Sequence, residues 1–348
     1  MKVMILSALP RDTGCWLRAA YLADSLKKHC DVVYVVPFPK GLPFMLDVFL
    51  SLFAYFFYVL ASDADVFIGV KPFPNITIPL LFAKYVKRKF IVVDVDDLDH
   101  GYFSEFPSKV ILFFQRIGPR FFDIITYHND LLRDFIVNVL CVNEEKLYKL
   151  DQGVDLRSFF YKNQAFDKNS LFYMAHLNLA ADLSPILKAV KLVQDKIHAP
   201  FIIAGGGPKK EFFERLAKEI GVNAIFIGSL SKEAIVAEMA KADICLAYYE
   251  LKKVNLFRAS MKVREYLAMR KKVVCNDYGE FVRFKKYTYQ CSSSVAEYAD
   301  RILQVLRQSD GREEAGERFI KANYDWNQIG ESFFRKLRLS YNRLPPAL

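Results

Sequence analysis

Phe201-Ile202-Ile203-Ala204-Gly205-Gly206-Gly207-Pro208 is the stretch that decides the fold. Four apolar residues end abruptly in three glycines, and a helical run, KKEFFERLAKEIG (209–221), follows. A short, solidly apolar strand that turns through glycines into a helix is a unit of a buried parallel sheet. The glycines let the chain turn tightly and let a ligand approach bare backbone, and the amides at the next helix start favour an anion. A tight turn with no ligand explains the same residues equally well. The spacing is not G-x-G-x-x-G with an acidic residue about 20 positions on, so a dinucleotide fingerprint is not supported.

Working outward, the same alternation continues in both directions. Downstream come NAIFIG (223–228), a helical KEAIVAEMAKA (232–242), DICLAYY (243–249), KVREYLAMR (262–270) and KVVCND (272–277). Upstream are LFYMAHL (171–177) and ILKAVKLVQDK (186–196), preceded by a polar stretch, NQAFDKNS (163–170). The first half repeats the pattern with KVMILSA (2–8), RAAYLADSLKK (18–28), DVVYVVPF (31–38), DVFIGV (65–70), FIVVDVD (90–96) and DIITYH (123–128) separated by helical runs. The expected fold class is therefore α/β, with two Rossmann-like doubly wound domains facing a cleft. The domains are placed at 1–160 and 161–326. Ligands of open α/β sheets bind beyond the carboxyl ends of the strands and favour domain interfaces, so the cleft is the expected site.

Composition agrees with this plan. At 348 residues, with 53% hydrophobic and 25% charged, the chain is long enough for two medium domains and too apolar to be disordered. The net charge of +10 favours anionic partners: nucleic acid, nucleotide phosphates or an anionic membrane. No nucleic-acid module is present. Six cysteines form no C-x-x-C pair, and several lie in apolar runs, which fits buried thiols in a reducing compartment. The N-terminal MKVMILSALPRD reads as a first strand rather than a leader.

Phe44–Ala61, FMLDVFLSLFAYFFYVLA, is 18 residues with one charge, Asp47, at the lower limit for a membrane span. It reads as an apolar helix in or on a soluble domain, ahead of a lipid-facing helix or a true span. Basic residues Lys84, Lys87, Arg88, Lys89, Arg116 and Arg120 lie in the same half. Together with the 15% aromatic content they point to a membrane-proximal first domain, with a charged helix face as the plain alternative.

Ser260-Met261-Lys262-Val263-Arg264-Glu265-Tyr266-Leu267-Ala268 carries the second signal. Ser260 is a plausible N-cap, and Arg258 and Lys262 add charge to a helix N-terminus that is already partly positive. A pyrophosphate is favoured there. Glu265, one turn on, is placed to accept hydrogen bonds from ribose hydroxyls. An i,i+3 Lys–Glu pair on a solvated face is the competing reading.

In order, FIIAGGGP, IFIGSL, AEMAKADICLAYY and SMKVREYLAMRKKVV resemble the donor half of the group 1 (family 4) glycosyltransferases. Leu9–Leu26 resembles the family's glycine loop and first helix, with Gly14 as the loop glycine. LDQGVDLRSF (150–159) resembles the segment leading into the second domain. NYDWNQIGESFFRKL (323–337) resembles the closing helix, placed at 327–348 and crossing back onto the first domain. The resemblance implies the GT-B architecture, a nucleotide-sugar donor linked to UDP or GDP, retention of anomeric configuration and no obligatory metal or other cofactor. It implies donor-binding roles for Gly14, Gly206, Gly207, Arg258, Ser260, Lys262 and Glu265. Two departures stand out. The first glutamate of the family's usual pair falls at Phe257, and MAHLNLAADL (174–183) has His176 where an arginine is usual and has no lysine.

Phe90–His100, FIVVDVDDLDH, places four aspartates and a histidine after a buried strand. D-x-D is open to three chemical readings: a Mg²⁺ or Mn²⁺ site, a phosphatase-like nucleophile, or polar groups at a strand end that orient sugar hydroxyls. Solvated loop charge is the fourth. The third is favoured, with Asp96 and His100 as the candidate catalytic residues and no metal ligand assigned. His128 and Glu250 are weaker candidates. The expected function is transfer of a sugar to a glycan or lipid-linked acceptor at the cytoplasmic membrane face. A nucleotide-sugar 2-epimerase, a non-catalytic nucleotide-sugar-binding subunit and a nicotinamide oxidoreductase are the alternatives.

Overall fold

The computed structural model describes residues 1–11, 13–36, 43–103, 105–163, 165–177, 182–308 and 310–343. The chain divides into two compact units, Met1–Gln152 with Trp326–Leu348, and Gly153–Asp325. The division falls inside LDQGVDLRSF, ahead of the polar stretch 163–170.

The first unit runs β1 (Lys2–Ser7), α1 (Gly14–Leu26), β2 (Asp31–Val35), α2 (Phe44–Ala61), β3 (Val66–Val70), α3 (Pro74–Tyr85), β4 (Phe90–Asp94), α4 (Glu105–Ile117), β5 (Ile124–Tyr127), α5 (Asp130–Asp134) and β6 (Leu147–Lys149). Its sheet order is β2-β1-β3-β4-β5-β6, with every pair parallel. The second unit runs β7 (Leu171–Met174), α6 (Ser184–Gln194), β8 (Phe201–Ala204), α7 (Lys210–Glu219), β9 (Ala224–Gly228), α8 (Lys232–Lys241), β10 (Ile244–Ala247), α9 (Met261–Ala268), β11 (Lys272–Asn276), β12 (Tyr289–Cys291), α10 (Val295–Arg307) and α11 (Arg312–Asn323). Its order is β12-β11-β10-β7-β8-β9. Both are doubly wound sheets, and their order reverses between β1 and β3 in the first unit and between β7 and β10 in the second. Ligands of such sheets bind at that reversal, beyond the carboxyl ends of the strands.

The strands are apolar throughout because helices cover both faces of each sheet. All of β3 and β4 is buried, as is β10. Charge is thereby expelled to the strand ends, where it must be paired. In the first unit, Arg18 on α1 is 2% exposed and Asp94 at the end of β4 is fully buried. Arg18 Nε donates to Asp94 Oδ2 at 2.5 Å and Nη2 to Asp94 Oδ1 at 3.0 Å. Its remaining donors reach Gln152 Oε1 at 3.0 Å and the Leu150 carbonyl at 2.8 Å.

Helix α12 (Trp326–Tyr341) belongs to the first unit and packs on α1. Tyr21 stacks on Trp326 with ring centroids 6.1 Å apart, and His29 on Phe334 at 5.4 Å. Gly330 allows the approach, because a Cβ there would meet Ser25 Oγ at 2.3 Å. Residues 344–348 of the expected closing helix lie outside the described residues.

Helix α2 is inverted. Its buried stripe is Asp47, Val48, Ser51, Tyr55 and Val59, whereas Phe49, Phe53 and Phe57 are 57%, 49% and 65% exposed. Tyr55 Oη donates to the Ser7 carbonyl at 2.6 Å, which explains why a hydroxyl faces inward. Among the described residues this is the one helix long and apolar enough to cross a membrane. Several of the neighbouring basic residues have local tasks. Lys87 Nζ caps the α2 carbonyls of Val59 and Leu60, Lys84 pairs with Asp123, and Arg120 Nε donates to the Leu140 carbonyl. All six cysteines are free, and four of them are buried.

Replacing Arg18 by Met leaves Asp94 as an uncompensated buried charge, a change that costs about 3–5 kcal/mol. A urea titration of Arg18→Met should show that loss as a lowered midpoint; a midpoint matching the wild type would reject the pairing.

Candidate functional site

In the second unit, β10 ends beside β7 at the reversal of strand order, and α9 begins close by. Ser260 caps α9, its Oγ accepting from Val263 N–H at 3.3 Å. The Ser260 N–H in turn donates to Glu280 Oε2 at 2.6 Å. Glu280 is clamped by the buried Arg264, whose Nη1 and Nη2 lie 2.8 and 2.5 Å from its two oxygens. Arg264 Nη1 also donates to the Ser260 carbonyl at 2.8 Å, and its guanidinium lies over Tyr324 at 4.6 Å. Glu280 and Arg264 were not picked out from sequence. The lone signal was a charged residue inside an apolar helix face, and its partner lies 16 positions away in another turn.

This clamp fixes the N-terminus of α9, whose first turn carries Lys262. Lys262 Nζ is 4.4 Å from the centre of the Tyr173 ring on β7. Lys262 and Glu265 each keep some solvent-accessible surface, yet both are deeply surrounded by protein atoms. Burial, and then Arg258, pull Lys262 down to about 7. Burial pushes Glu265 up to about 7 against the pull of Lys262 and Lys232. Among the described residues Lys262 makes no ion pair within 4 Å. Its charge is therefore costly until an anion arrives. Arg258 lies over the Tyr249 ring at 5.3 Å, and Tyr249 stacks on Phe281 at 4.2 Å. Lys262, Glu265, Arg258 and Ser260 thus fall in one neighbourhood.

Phe257, where the family's first glutamate is expected, is buried at the end of a 3₁₀ turn. That position is used for packing. Glu250 pairs with Lys252 at 2.8 Å, and His176 is exposed; residues 178–181 of the stretch that departs from the family lie outside the described residues.

The glycines after β8 have a steric reason of their own. At Gly205 and Gly207, φ is 143° and 144°, and a Cβ would lie 1.8 Å from the Ala175 carbonyl oxygen and 2.3 Å from that of Leu177. A Cβ on Gly206 would meet Ser229 Oγ at 2.3 Å. The three residues bring the β8 loop against the loops after β7 and β9. Gly14, in the first unit, opens α1 behind the Thr13 cap, and a Cβ there would meet nothing within 4 Å.

The acidic stretch of the first unit is built around a lysine. Asp96 Oδ1 lies 2.6 Å from Lys71 Nζ, and His128 Nε2 lies 2.6 Å from the Asp96 carbonyl. His100 is turned aside: its Nδ1 lies 3.0 Å from Gln115 Oε1. Gln115 Nε2 donates to the Asp97 carbonyl at 3.0 Å and to Asp99 Oδ2 at 3.2 Å. Lys71 is a residue that sequence reading missed, since only the fold brings it to Asp96.

Residues 168–308 match the family described as glycosyl transferases, group 1. That segment, most of the second unit, is similar to the group 1 glycosyltransferases. No curated protein matches it. Among solved structures it resembles sucrose-phosphate synthase from Thermosynechococcus elongatus, with a TM-score of 0.79 at 11% identity over 99% of this chain and 100% of that one. It resembles HepE of Anabaena in complex with UDP and glucose, with a TM-score of 0.71 at 14% identity over 97% and 99% of the two chains. It also resembles AviGT4, a glycosyltransferase involved in avilamycin A biosynthesis, with a TM-score of 0.68 at 13% identity over 99% of each chain. At these identities the likeness establishes the fold, GT-B, as expected from sequence.

Lys262→Ala and Glu265→Ala should each weaken UDP or GDP binding by about tenfold to a hundredfold, the range of a lost charge-assisted hydrogen bond, with thermal unfolding little changed. Because Lys262 is pulled to about 7 in the empty site, binding above that pH must recruit a proton. Calorimetric affinity of the wild type should therefore fall from pH 7 to pH 9, and that slope should vanish in Lys262→Ala. Wild-type affinity in both variants would reject the assignment.

Proposed function

We propose that this glycosyltransferase is a retaining enzyme that moves a sugar from a UDP- or GDP-linked donor to a glycan or lipid-linked acceptor at a membrane face. One observation carries the donor assignment: Lys262, deeply surrounded by protein and without an ion pair among the described residues, stands beside Arg258 at a capped helix N-terminus, where the strand order reverses. Such a site is complementary to a diphosphate. As the glycosidic bond breaks, negative charge grows on the leaving nucleotide, and Arg258, Lys262 and the α9 amides stabilise it without an obligatory metal. Glu265, a turn along the helix, accepts from ribose hydroxyls. Gly14, Gly206 and Gly207 leave backbone open to the donor. In the first unit, Asp96 orients a sugar hydroxyl, and His100 supports the loop through Gln115.

The membrane part of the reading rests on α2. A row of exposed phenylalanines one helical turn apart, Phe49, Phe53 and Phe57, suits insertion into the headgroup boundary of a bilayer. Lys89 and Arg116 supply charge in the same unit that favours anionic lipid. The proposed location is the cytoplasmic membrane face.

A thermal-shift panel of UDP-, GDP- and ADP-sugars should show stabilisation by one base class, and product analysis should show the donor consumed only when an acceptor is present. An epimerised donor formed without acceptor would replace this reading with that of a 2-epimerase. Flotation with anionic liposomes should carry the protein upward, and Phe53→Asp with Phe57→Asp should abolish it. A wild-type protein that never co-migrates would end the membrane assignment.

A further inference from the structure

Lys71 follows β3 directly, at the point where the strand order of the first unit reverses. Its φ is 71°, a left-handed conformation that strains a non-glycine residue. The side chain is nonetheless buried, with Nζ 2.6 Å from Asp96 Oδ1, 2.6 Å from Asp99 Oδ1 and 3.8 Å from Asp97 Oδ2. One oxygen from each of these three aspartates lies within 4.8 Å of the other two. Oxygen ligands at that spacing suit a hard divalent cation, but a lysine ammonium occupies the middle of the group.

The three carboxylates are not equivalent. Asp99 is held on both sides, by Lys71 and by Gln115 Nε2. Asp96 is held through Oδ1 alone; Oδ2 makes no hydrogen bond among the described residues, and 11% of the side chain stays exposed. Burial opposes its charge. Lys71 and Arg18 outweigh burial and hold Asp96 below the ordinary carboxylate range, whereas burial and the two neighbouring aspartates push Asp99 up to about 8. The charged and titratable groups facing Asp96 are Lys71, Arg18 and Cys15 on α1, His128 after β5, and Asp97 and Asp99 of its own loop.

We propose that Lys71 is a positioning residue: a built-in cation at the centre of the three aspartates that holds Asp96 through Oδ1 and aims its other oxygen to accept from a substrate hydroxyl. The inference deepens the reading of Asp96 under the proposed function and rests on it.

The test uses full-length Lys71→Met, Lys71→Arg and the charge-balanced Lys71→Met/Asp99→Asn. Mn²⁺ binding is followed by electron paramagnetic resonance at pH 7.5, alongside the pH profile of transfer. Wild type and Lys71→Arg should take up no Mn²⁺. Lys71→Met should bind it in a one-to-one ratio, and the double variant at least tenfold more weakly. Without the cation Asp96 protonates at higher pH, so the acid limb of kcat/KM in Lys71→Met should move up by at least one pH unit, and added Mn²⁺ should bring it back. If Lys71→Met does not fold, the same acid-limb shift is expected of the double variant, which keeps the charge balance. UDP affinity, a property of the second unit, should be unchanged, so its loss in wild type would discredit the donor site and leave this inference intact. A folded variant that binds no Mn²⁺ and keeps the wild-type acid limb would overturn the role of Lys71.

Discussion

Arg18 has almost no access to water, and its hydrogen-bond donors are spent on the carboxyl ends of two strands of the first unit. It grips Asp94 after β4, the Leu150 carbonyl after β6 and Gln152 beyond it, while Thr126 on β5 donates to the same Asp94 at 2.5 Å. A parallel sheet covered on both faces cannot tolerate charge along its strands. Charged side chains of the strands therefore gather at strand ends, where Asp94 is paired. Once α1 is pinned by this pair, the loop after β1, the Lys71 turn and the Asp96 loop are brought together around one strand end.

The second unit meets the same constraint with Arg264 and Glu280. Their buried pair fixes Ser260, and Ser260 fixes the start of α9. Rigid support of this kind matters because electrostatic catalysis depends on charges that need not reorganise as the leaving group departs. Lys262 differs: it is deeply surrounded by protein and, among the described residues, makes no ion pair within 4 Å, which is the ground on which a ligand is proposed there. Structural ion pairs elsewhere in the unit, such as Lys272 with Asp243 at 3.0 Å, are closed within the protein.

Strands were legible in the sequence because parallel strands buried on both faces are unbroken apolar runs. The Ser260 cap and the Lys262–Glu265 helix were legible because capping and i,i+3 spacing are local rules. Pairings made by topology were not. Lys71 and Asp96 are 25 residues apart, Arg18 and Asp94 76 apart, and no local pattern joins them. Periodicity also identified α2 as a helix but could not orient it, since the face turned inward carries Asp47, Ser51 and Tyr55 and the apolar face is outside. For the triple glycine, sequence left a ligand-directed loop and a plain tight turn equally open; its close backbone contacts with Ala175 and Leu177 supply a packing reason that no spacing rule exposes. The GT-B fold was legible because the order of moderately specific motifs along the chain is itself specific.

The account turns on a nucleoside diphosphate held at the start of α9. A crystal structure of the protein grown with UDP or GDP measures this directly. The account predicts the diphosphate within hydrogen-bond reach of Lys262 Nζ and the first amides of α9, with the ribose on Glu265. Density for the nucleotide elsewhere, for example in the basic cavity of about 370 Å³ lined by Lys285, Lys286, Arg301 and Arg312, with the α9 terminus unoccupied, would contradict it.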